Sequence, residues 1–158
     1  MKIKRKTIYI SFCEFIYKKL FSSEMPQEYS IGLILFYKEK YLLLCSVSGY
    51  WHSLKGIPEK NETPEETIRR ILKKETGITT VFLVKDFLEK EEYFYKKEGK
   101  TIHKEVMYFL GETQETEISI SQECTDWKWL SFQEAVNLLP FPSGKELLKK
   151  AEEFKRYH

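Results

Sequence analysis

The order of apolar and charged positions along the chain predicts strands at the start of the folded region. Ser30–Tyr37 is a nearly unbroken apolar run, which is typical of a buried strand. The charged residues 38–40 separate it from a second apolar run, Tyr41–Val47, so we expect the two runs to form a hairpin. Tyr50–Gly56 is predicted to be a third strand.

A helix is predicted directly after these strands. Thr63 is a candidate N-cap, Pro64 suits the first helical position, and acidic residues follow it in the first turn. The helix should run to Thr76 and end at Gly77, because glycine readily takes the left-handed conformation that terminates helices.

The second half of the chain returns to strands and then changes to helices. Thr79–Tyr95 and Thr101–Glu112 are predicted to be long strands joined by a charged turn, and Asp126–Leu130 a short one. Helical spacing of apolar residues follows in Phe132–Leu139 and again over Ser143–Arg156. This order of strands, helix, strands and helices predicts an α+β domain.

Length and charge narrow the class of protein. The 158 residues suffice for one domain with a buried core, which we place at residues 29–158, after an N-terminal extension at residues 1–28. The chain has 26 basic and 24 acidic residues, a balance that argues against binding of a bulk polyanion. Four of the first six residues of the extension are basic, and the extension offers a surface through which the chain could form a homodimer.

The cysteines and the apolar segments bear on cellular location. Cys13, Cys45 and Cys124 are odd in number and widely spaced, which indicates reduced thiols rather than a disulfide framework or a zinc site. No stretch approaches the roughly 20 apolar residues of a membrane span, so we expect no membrane interaction. We therefore expect the protein to be cytoplasmic.

One segment carries a recognisable motif. Residues 56–78 read GIPEKNETPEETIRRILKKETGI. This segment resembles the Nudix box, G-x5-E-x7-R-E-U-x-E-E-x-G-U, in which U is a bulky aliphatic residue. The positions that agree, with no gap, are Gly56, Glu62, Arg70, Leu72, Glu75, Gly77 and Ile78. The resemblance implies the Nudix fold, a mixed β-sheet sandwiched between α-helices, and cleavage of a pyrophosphate bond in a nucleoside polyphosphate with magnesium or manganese.

Later segments are similar to one branch of that family, the dinucleoside-tetraphosphate hydrolases. The strand Glu105–Leu110 after Gly99 and Lys100 resembles that branch, and so does the segment from Ser121 to Cys124, where the branch has a histidine in place of Cys124. With the closing helix, the resemblance covers residues 30–156. It implies a dinucleoside polyphosphate as substrate.

The box departs from the family where the metal ligands should be. In the family, three carboxylates spaced i, i+3 and i+4 share one face of the helix and hold the divalent ions. In this chain those positions are Ile71, Lys74 and Glu75, so two carboxylates are replaced. Because magnesium needs several hard oxygen ligands at once, we expect its binding to be weak or lost.

The resemblance implies the remaining site residues. Glu75 and Glu123 would be the catalytic residues and metal ligands, and Glu62 is a further candidate ligand, although a structural role suits it as well. The substrate-binding candidates are Lys55, Arg70, Lys74 and Tyr108. The ammonium of Lys74 could stand where the metal ion normally stands, or Lys74 could be an ordinary surface lysine.

Two functions remain open from the sequence. The first is a Nudix-type hydrolase of a nucleoside polyphosphate with an impaired or altered metal site. The second is a catalytically inactive Nudix domain that binds a nucleotide or the capped 5′ end of an RNA. A weaker third hypothesis is a structural subunit whose extension docks a partner.

Overall fold

A computed structural model describes residues 27–158. The predictions for the basic start of the chain, for Cys13 and for dimerisation through the extension therefore lie outside the described residues. The strands are β1 (Gln27–Tyr37), β2 (Lys40–Ser46), β3 (Trp51–His52), β4 (Leu54–Gly56), β5 (Phe82–Leu83), β6 (Glu89–Lys97), β7 (Lys100–Glu112) and β8 (Cys124–Ser131). The helices are α1 (Pro64–Thr76), α2 (Phe132–Leu138) and α3 (Pro142–Tyr157).

The strands form one mixed sheet, which confirms the predicted α+β class. β1 lies parallel to β7 and antiparallel to β2 and β4. The predicted hairpin of β1 and β2 is present, with Phe36 opposite Tyr41. β5 and β6 pair antiparallel with β7, and β3 and β8 pair antiparallel with β2.

Alternate residues of β1 supply two cores, one on each face of the sheet. Ile31, Leu33 and Leu35 pack with Ile68 and Leu72 of α1. On the other face, Ile34 and Phe36 pack with residues of α2 and α3, namely Ala135, Leu147, Leu148 and Ala151. Because successive side chains of a strand point to opposite faces, a strand that is apolar throughout must be covered on both sides. The predicted sandwich of sheet between helices is confirmed.

Helix α1 begins and ends where the sequence signals predicted. The Thr63 hydroxyl accepts a hydrogen bond from the backbone N–H of Glu66, and Pro64 opens the helix. At the other end Gly77 has a φ of 76° and its N–H donates to the carbonyl of Lys73. These two caps fix the position of the last helical turn, which carries Lys74 and Glu75.

Three strand predictions need correction. Tyr50–Gly56 is not one strand, because β3 pairs with β2 whereas β4 pairs with β1. Most of residues 79–88 are irregular, and Asp86 takes a positive φ of 67° in the turn between β5 and β6. β1 begins at Gln27, so Gln27 and Glu28 pair with β7 in the sheet. The division of the chain at residue 28 stays a prediction.

Within residues 27–158, no helix is both long and apolar enough to cross a membrane.

Candidate functional site

The last turn of α1 and the loop before β8 bring three of the predicted site residues together. The Lys74 Nζ lies 3.4 Å from Oε1 of Glu123 and 3.9 Å from Oε1 of Glu75. The ammonium therefore lies beside both carboxylates. Glu123 is largely exposed, whereas the Glu75 side chain is 12% exposed.

Glu75 is held in place from the β8 side. Its Oε2 accepts a hydrogen bond from the Ser121 hydroxyl at 2.6 Å, and the Cys124 thiol lies 3.9 Å away. Burial, together with the charges of Glu75 and Glu123, raises the pKa of Cys124 to about 11. Cys124 therefore stays a neutral thiol that packs against the carboxylate.

Ile71 is part of the core rather than of the polar site. Its side chain is 3% exposed and lies against the backbone of Gly56. A Cβ on Gly56 would come within 2.5 Å of the Ile71 Cγ2 methyl, so glycine is required for this close contact. The substitution at position 71 fills space between α1 and β4.

The residues at this site fit a magnesium ion poorly. Magnesium prefers near-octahedral coordination by oxygen, usually with carboxylates and waters. Here two carboxylates converge, one of them already accepts from Ser121, and a lysine ammonium lies beside both. The positive charge of Lys74 offsets part of the negative charge of these carboxylates.

Glu62 and Arg70, two other predicted site residues, are engaged with each other. Glu62 accepts from Arg70 Nε at 2.8 Å and Nη2 at 2.9 Å, and also from the Thr67 hydroxyl and the Glu59 N–H. Arg70 also donates to the carbonyl of Ile57. The Arg70 guanidinium is the main reason that the pKa of Glu62 falls to about 2. These contacts fasten the loop at residues 57–63 to α1 and occupy the groups that the sequence interpretation assigned to metal and phosphate.

A pocket of about 960 Å³ contains the remaining two predicted residues, Lys55 and Tyr108. Tyr108 is 3% exposed, and its ring lies over Gly32, where a Cβ would come within 2.3 Å of the ring. The Lys55 Nζ donates to the Tyr93 hydroxyl at 3.1 Å, at one wall of the pocket.

Three pocket residues were not identified from the sequence. Tyr50 and Phe141 are 54% and 57% exposed, and their ring centroids lie 5.8 Å apart. Lys104 is buried in the pocket, 3.5 Å from Glu28, and burial lowers its pKa. No motif marks these positions, because they come from separate segments that meet only in the folded chain.

His52 is a fourth residue of the pocket that no sequence motif marks. Its Nδ1 lies 2.8 Å from the Ser53 carbonyl, which fixes Nδ1 as the donor and leaves Nε2 free to accept. Burial lowers the pKa of His52, and the charge of Lys55 lowers it further, while Glu75 acts in the opposite direction. The imidazole is therefore neutral at pH 7 and lies within electrostatic reach of both the pocket and Glu75.

Comparisons with known proteins point to one family. Residues 26–151 match the NUDIX domain. The bis(5′-nucleosyl)-tetraphosphatase [asymmetrical] of Mus musculus is 31% identical over 121 residues, which are 73% of this chain and 80% of that protein. This agreement extends well beyond the box.

Solved structures show the same fold. A C. elegans Ap4A hydrolase binary complex superposes with a TM-score of 0.71 at 25% identity, over 83% of this chain and 99% of that one. The E. coli dihydroneopterin triphosphate pyrophosphohydrolase superposes with a TM-score of 0.62 at 19% identity, over 80% and 97% of the two chains. At 19% identity, the similarity to the E. coli enzyme is evidence for the fold alone.

Proposed function

Because this chain belongs to the NUDIX domain family, we propose that its pocket binds a nucleoside polyphosphate and that the adjoining carboxylates serve cleavage of a pyrophosphate bond. The family uses divalent metal ions for this chemistry. In this chain Glu75 and Glu123 are the residues that would hold such an ion, with the weakened affinity that their small number and the neighbouring Lys74 imply.

The combination of groups in the pocket carries the proposal. Tyr50 and Phe141 offer flat, exposed rings at the mouth, and aromatic rings are the surfaces on which nucleobases stack. Lys55 supplies a positive charge on the pocket wall that suits a phosphate group, whereas the charge of Lys104 is offset by Glu28, 3.5 Å away, and Glu91 and Glu92 also line the pocket. The two rings together with Lys55 match a nucleoside phosphate better than a ligand that has neither a base nor a phosphate.

His52 lines the same pocket as Lys55, and the charges of Lys55 and Glu75 both affect its pKa. We expect a phosphate chain bound at Lys55 to extend past His52 toward Glu75 and Lys74. The similarity to bis(5′-nucleosyl)-tetraphosphatases supports a dinucleoside polyphosphate as the substrate, with a second nucleoside beyond the carboxylates.

A second candidate function rests on Lys74. A lysine beside Glu75 and Glu123 supplies fixed positive charge without a metal ion, which suits binding better than turnover. The chain would then recognise a nucleotide, or the capped 5′ end of an RNA, without cleaving it. Either function is compatible with action in the cytoplasm, where Cys45 and Cys124 would remain the free thiols that the structure shows.

The two functions are separated by calorimetry and a turnover assay. We expect a non-hydrolysable diadenosine polyphosphate to bind, and Phe141→Ala to weaken this binding by about 1–3 kcal/mol, the range for loss of one stacked base. Tyr157→Ala removes an aromatic ring that is 77% exposed and should leave binding unchanged. Equal binding by both variants, or no binding to the parent protein, would contradict the proposed pocket.

Turnover then decides between hydrolase and binding protein. With diadenosine tetraphosphate and magnesium or manganese, Glu75→Gln should abolish any cleavage, whereas Glu66→Gln, on the exposed side of the same helix, should not. Cleavage that survives Glu75→Gln would place the reaction elsewhere. Binding in EDTA with no cleavage under any metal would establish the binding function, and a comparison with a cap analogue would then test the RNA end.

A further inference from the structure

A second group of metal-binding side chains lies on β6 and β7, apart from the box helix. Glu92 and Glu105 stand directly opposite each other in the antiparallel register, and His103 lies two residues before Glu105. Their ligand atoms all lie within 4.8 Å of one another. Because alternate residues of a strand share a face, these side chains point away from Lys104 and share the sheet face of Tyr29.

Glu92 and Glu105 carry like charges at directly opposite positions, and His103 contacts both of them. Like charges directly opposite each other on neighbouring strands destabilise a sheet. The Glu105 and His103 side chains are only 5% and 10% exposed, whereas Glu92 is 39% exposed, so water reaches this group from the Glu92 side. The His103 Nε2 is hydrogen-bonded to Glu92 and lies 3.8 Å from Oε1 of Glu105, so one ring nitrogen faces both carboxylates.

We propose that His103, Glu92 and Glu105 form a binding site for a divalent transition-metal ion of the zinc class. One imidazole nitrogen and two carboxylate oxygens form a mixed ligand set that suits zinc, and waters would complete the coordination. Magnesium prefers oxygen ligands alone, so the imidazole distinguishes this site from the one at Glu75. The ion would replace the hydrogen bond between His103 and Glu92 and neutralise both carboxylates.

Groups around His103 can support the ligand. Gln27 Nε2 lies 3.4 Å from the His103 Nδ1, and the Tyr29 hydroxyl donates to Gln27 Oε1. When a metal takes Nε2, the ring proton moves to Nδ1, and rotation of the Gln27 amide presents its oxygen as the acceptor. The Phe94 ring stacks on the imidazole with centroids 4.7 Å apart and restricts its rotation.

The inference does not rest on the proposed function, although Glu92 also lines the nucleotide pocket; His103 and Glu105 are not among the residues that line it. A bound ion would link β6 to β7 and would leave the Nudix-box carboxylates free. Its expected effect is therefore on metal content and on the melting temperature, with or without nucleotide.

The test uses the full chain without an affinity tag, stripped of metal and titrated with cobalt(II) as a spectroscopic substitute for zinc. We expect one strongly bound cobalt ion per chain with visible d–d absorption, and a rise in the melting temperature on addition of zinc. His103→Gln and Glu92→Gln should each weaken binding at least tenfold. The matched controls are His158→Gln at the C-terminus and Glu98→Gln in the exposed turn between β6 and β7.

A second measurement guards against variants that fail to fold. In the unmodified protein, zinc should shift the imidazole NMR signals of His103 and leave those of His52 and His158 in place. The proposal is overturned if the unmodified protein binds no cobalt, if another histidine responds in place of His103, or if folded His103→Gln binds cobalt as the parent does.

Discussion

Ile71 and Lys74 lie three residues apart on α1, at positions where the sequence resemblance implies carboxylates, yet their surroundings differ. Ile71 is 3% exposed and packs against Gly56, whereas the Lys74 side chain is 57% exposed. A carboxylate at position 71 would have to be desolvated, while a change at position 74 alters mainly charge. The two replacements therefore have separate consequences: one for the core and one for the electrostatics of the site.

Lys74→Ala tests whether the ammonium holds phosphate. We expect the variant to lose about 1.5–3 kcal/mol of nucleotide binding, the range for a hydrogen bond to a charged group. Binding by the parent protein should persist in EDTA and weaken as salt rises, because salt screens exposed charge. Isothermal titration with a non-hydrolysable diadenosine polyphosphate measures both effects.

The control for this change is Lys73→Ala, which removes an exposed lysine from the same helical turn. Both substitutions lower the net charge equally, so a general electrostatic effect would affect them alike. If the two variants bind nucleotide equally well, Lys74 is an ordinary surface lysine and the site has lost its cation without replacement.

The double variant Ile71→Glu, Lys74→Glu tests whether added carboxylates give the site magnesium affinity. It rebuilds the carboxylate spacing on α1 beside Glu75, so the protein should gain magnesium affinity and require a divalent ion for nucleotide binding. Because position 71 is buried, the metal-free variant should melt at a lower temperature, and magnesium should restore part of the loss. A melting curve that does not respond to magnesium would show that the rebuilt face holds no ion.

At the scale of elements, the half-buried ion pair of Glu62 and Arg70 helps to hold the loop before α1 against that helix. Glu62 accepts hydrogen bonds from Arg70 and Thr67 of the helix, and Arg70 also donates to the Ile57 carbonyl, so several contacts around Glu62 fasten the loop to the helix. Lys55 and Gly56 precede this loop directly. The conformation of this loop therefore affects the pocket as well as the helix that carries Glu75.

The lowered pKa of Glu62 makes part of the stability depend on pH. The value falls from 4.5 to about 2, so the pair contributes fully above pH 4.5 and the contribution is lost as pH falls toward 2. A shift of this size corresponds to about 3 kcal/mol. Glu62→Gln should lower the free energy of unfolding by roughly that amount at pH 7 and flatten its pH dependence below 4.5.

Glu65→Gln is the matched control, because Glu65 pairs with Arg69 on the exposed side of the same helix. Both of those side chains are 47% exposed, and an exposed pair of this kind contributes about 0.3–0.5 kcal/mol. Urea unfolding at several pH values compares the two variants. An equal, small loss in both would show that the contact between Glu62 and Arg70 adds little to stability.

Across the whole molecule, the sequence predicted most accurately the helix ends and strands that depend on residues close together in the chain. Thr63 and Gly77 bound α1 because caps act within a few residues, and the apolar runs located β1, β2 and β7. The break between β3 and β4 could not be predicted, since it depends on which strand each one pairs with. Likewise the family resemblance identified Lys74 and Glu75 in the box and Glu123 in a later segment, whereas Tyr50, Lys104 and Phe141 come together in the pocket only through the fold.

The boundary of the domain is the remaining prediction at this scale. We expect residues 1–26 to be dispensable for folding of the domain, because the match to the NUDIX domain covers residues 26–151. A chain that starts at Gln27 should unfold cooperatively at a temperature close to that of the full chain. A chain that starts at Ser30 should melt lower, since it loses three residues of β1 that pair with β7 and the Glu28 carboxylate beside Lys104.

Thermal unfolding followed by circular dichroism, at several protein concentrations, compares the three chains. The Ser30 chain serves as the control, because its loss of strand pairs sets the size of a local effect at the start of β1. If the Gln27 chain melts as low as the Ser30 chain, the extension completes the fold rather than preceding it. If only the full chain melts at a temperature that rises with concentration, the extension forms a dimer contact, because association adds stability by mass action. A Gln27 chain with the full melting temperature and the full nucleotide affinity would place both fold and site within residues 27–158.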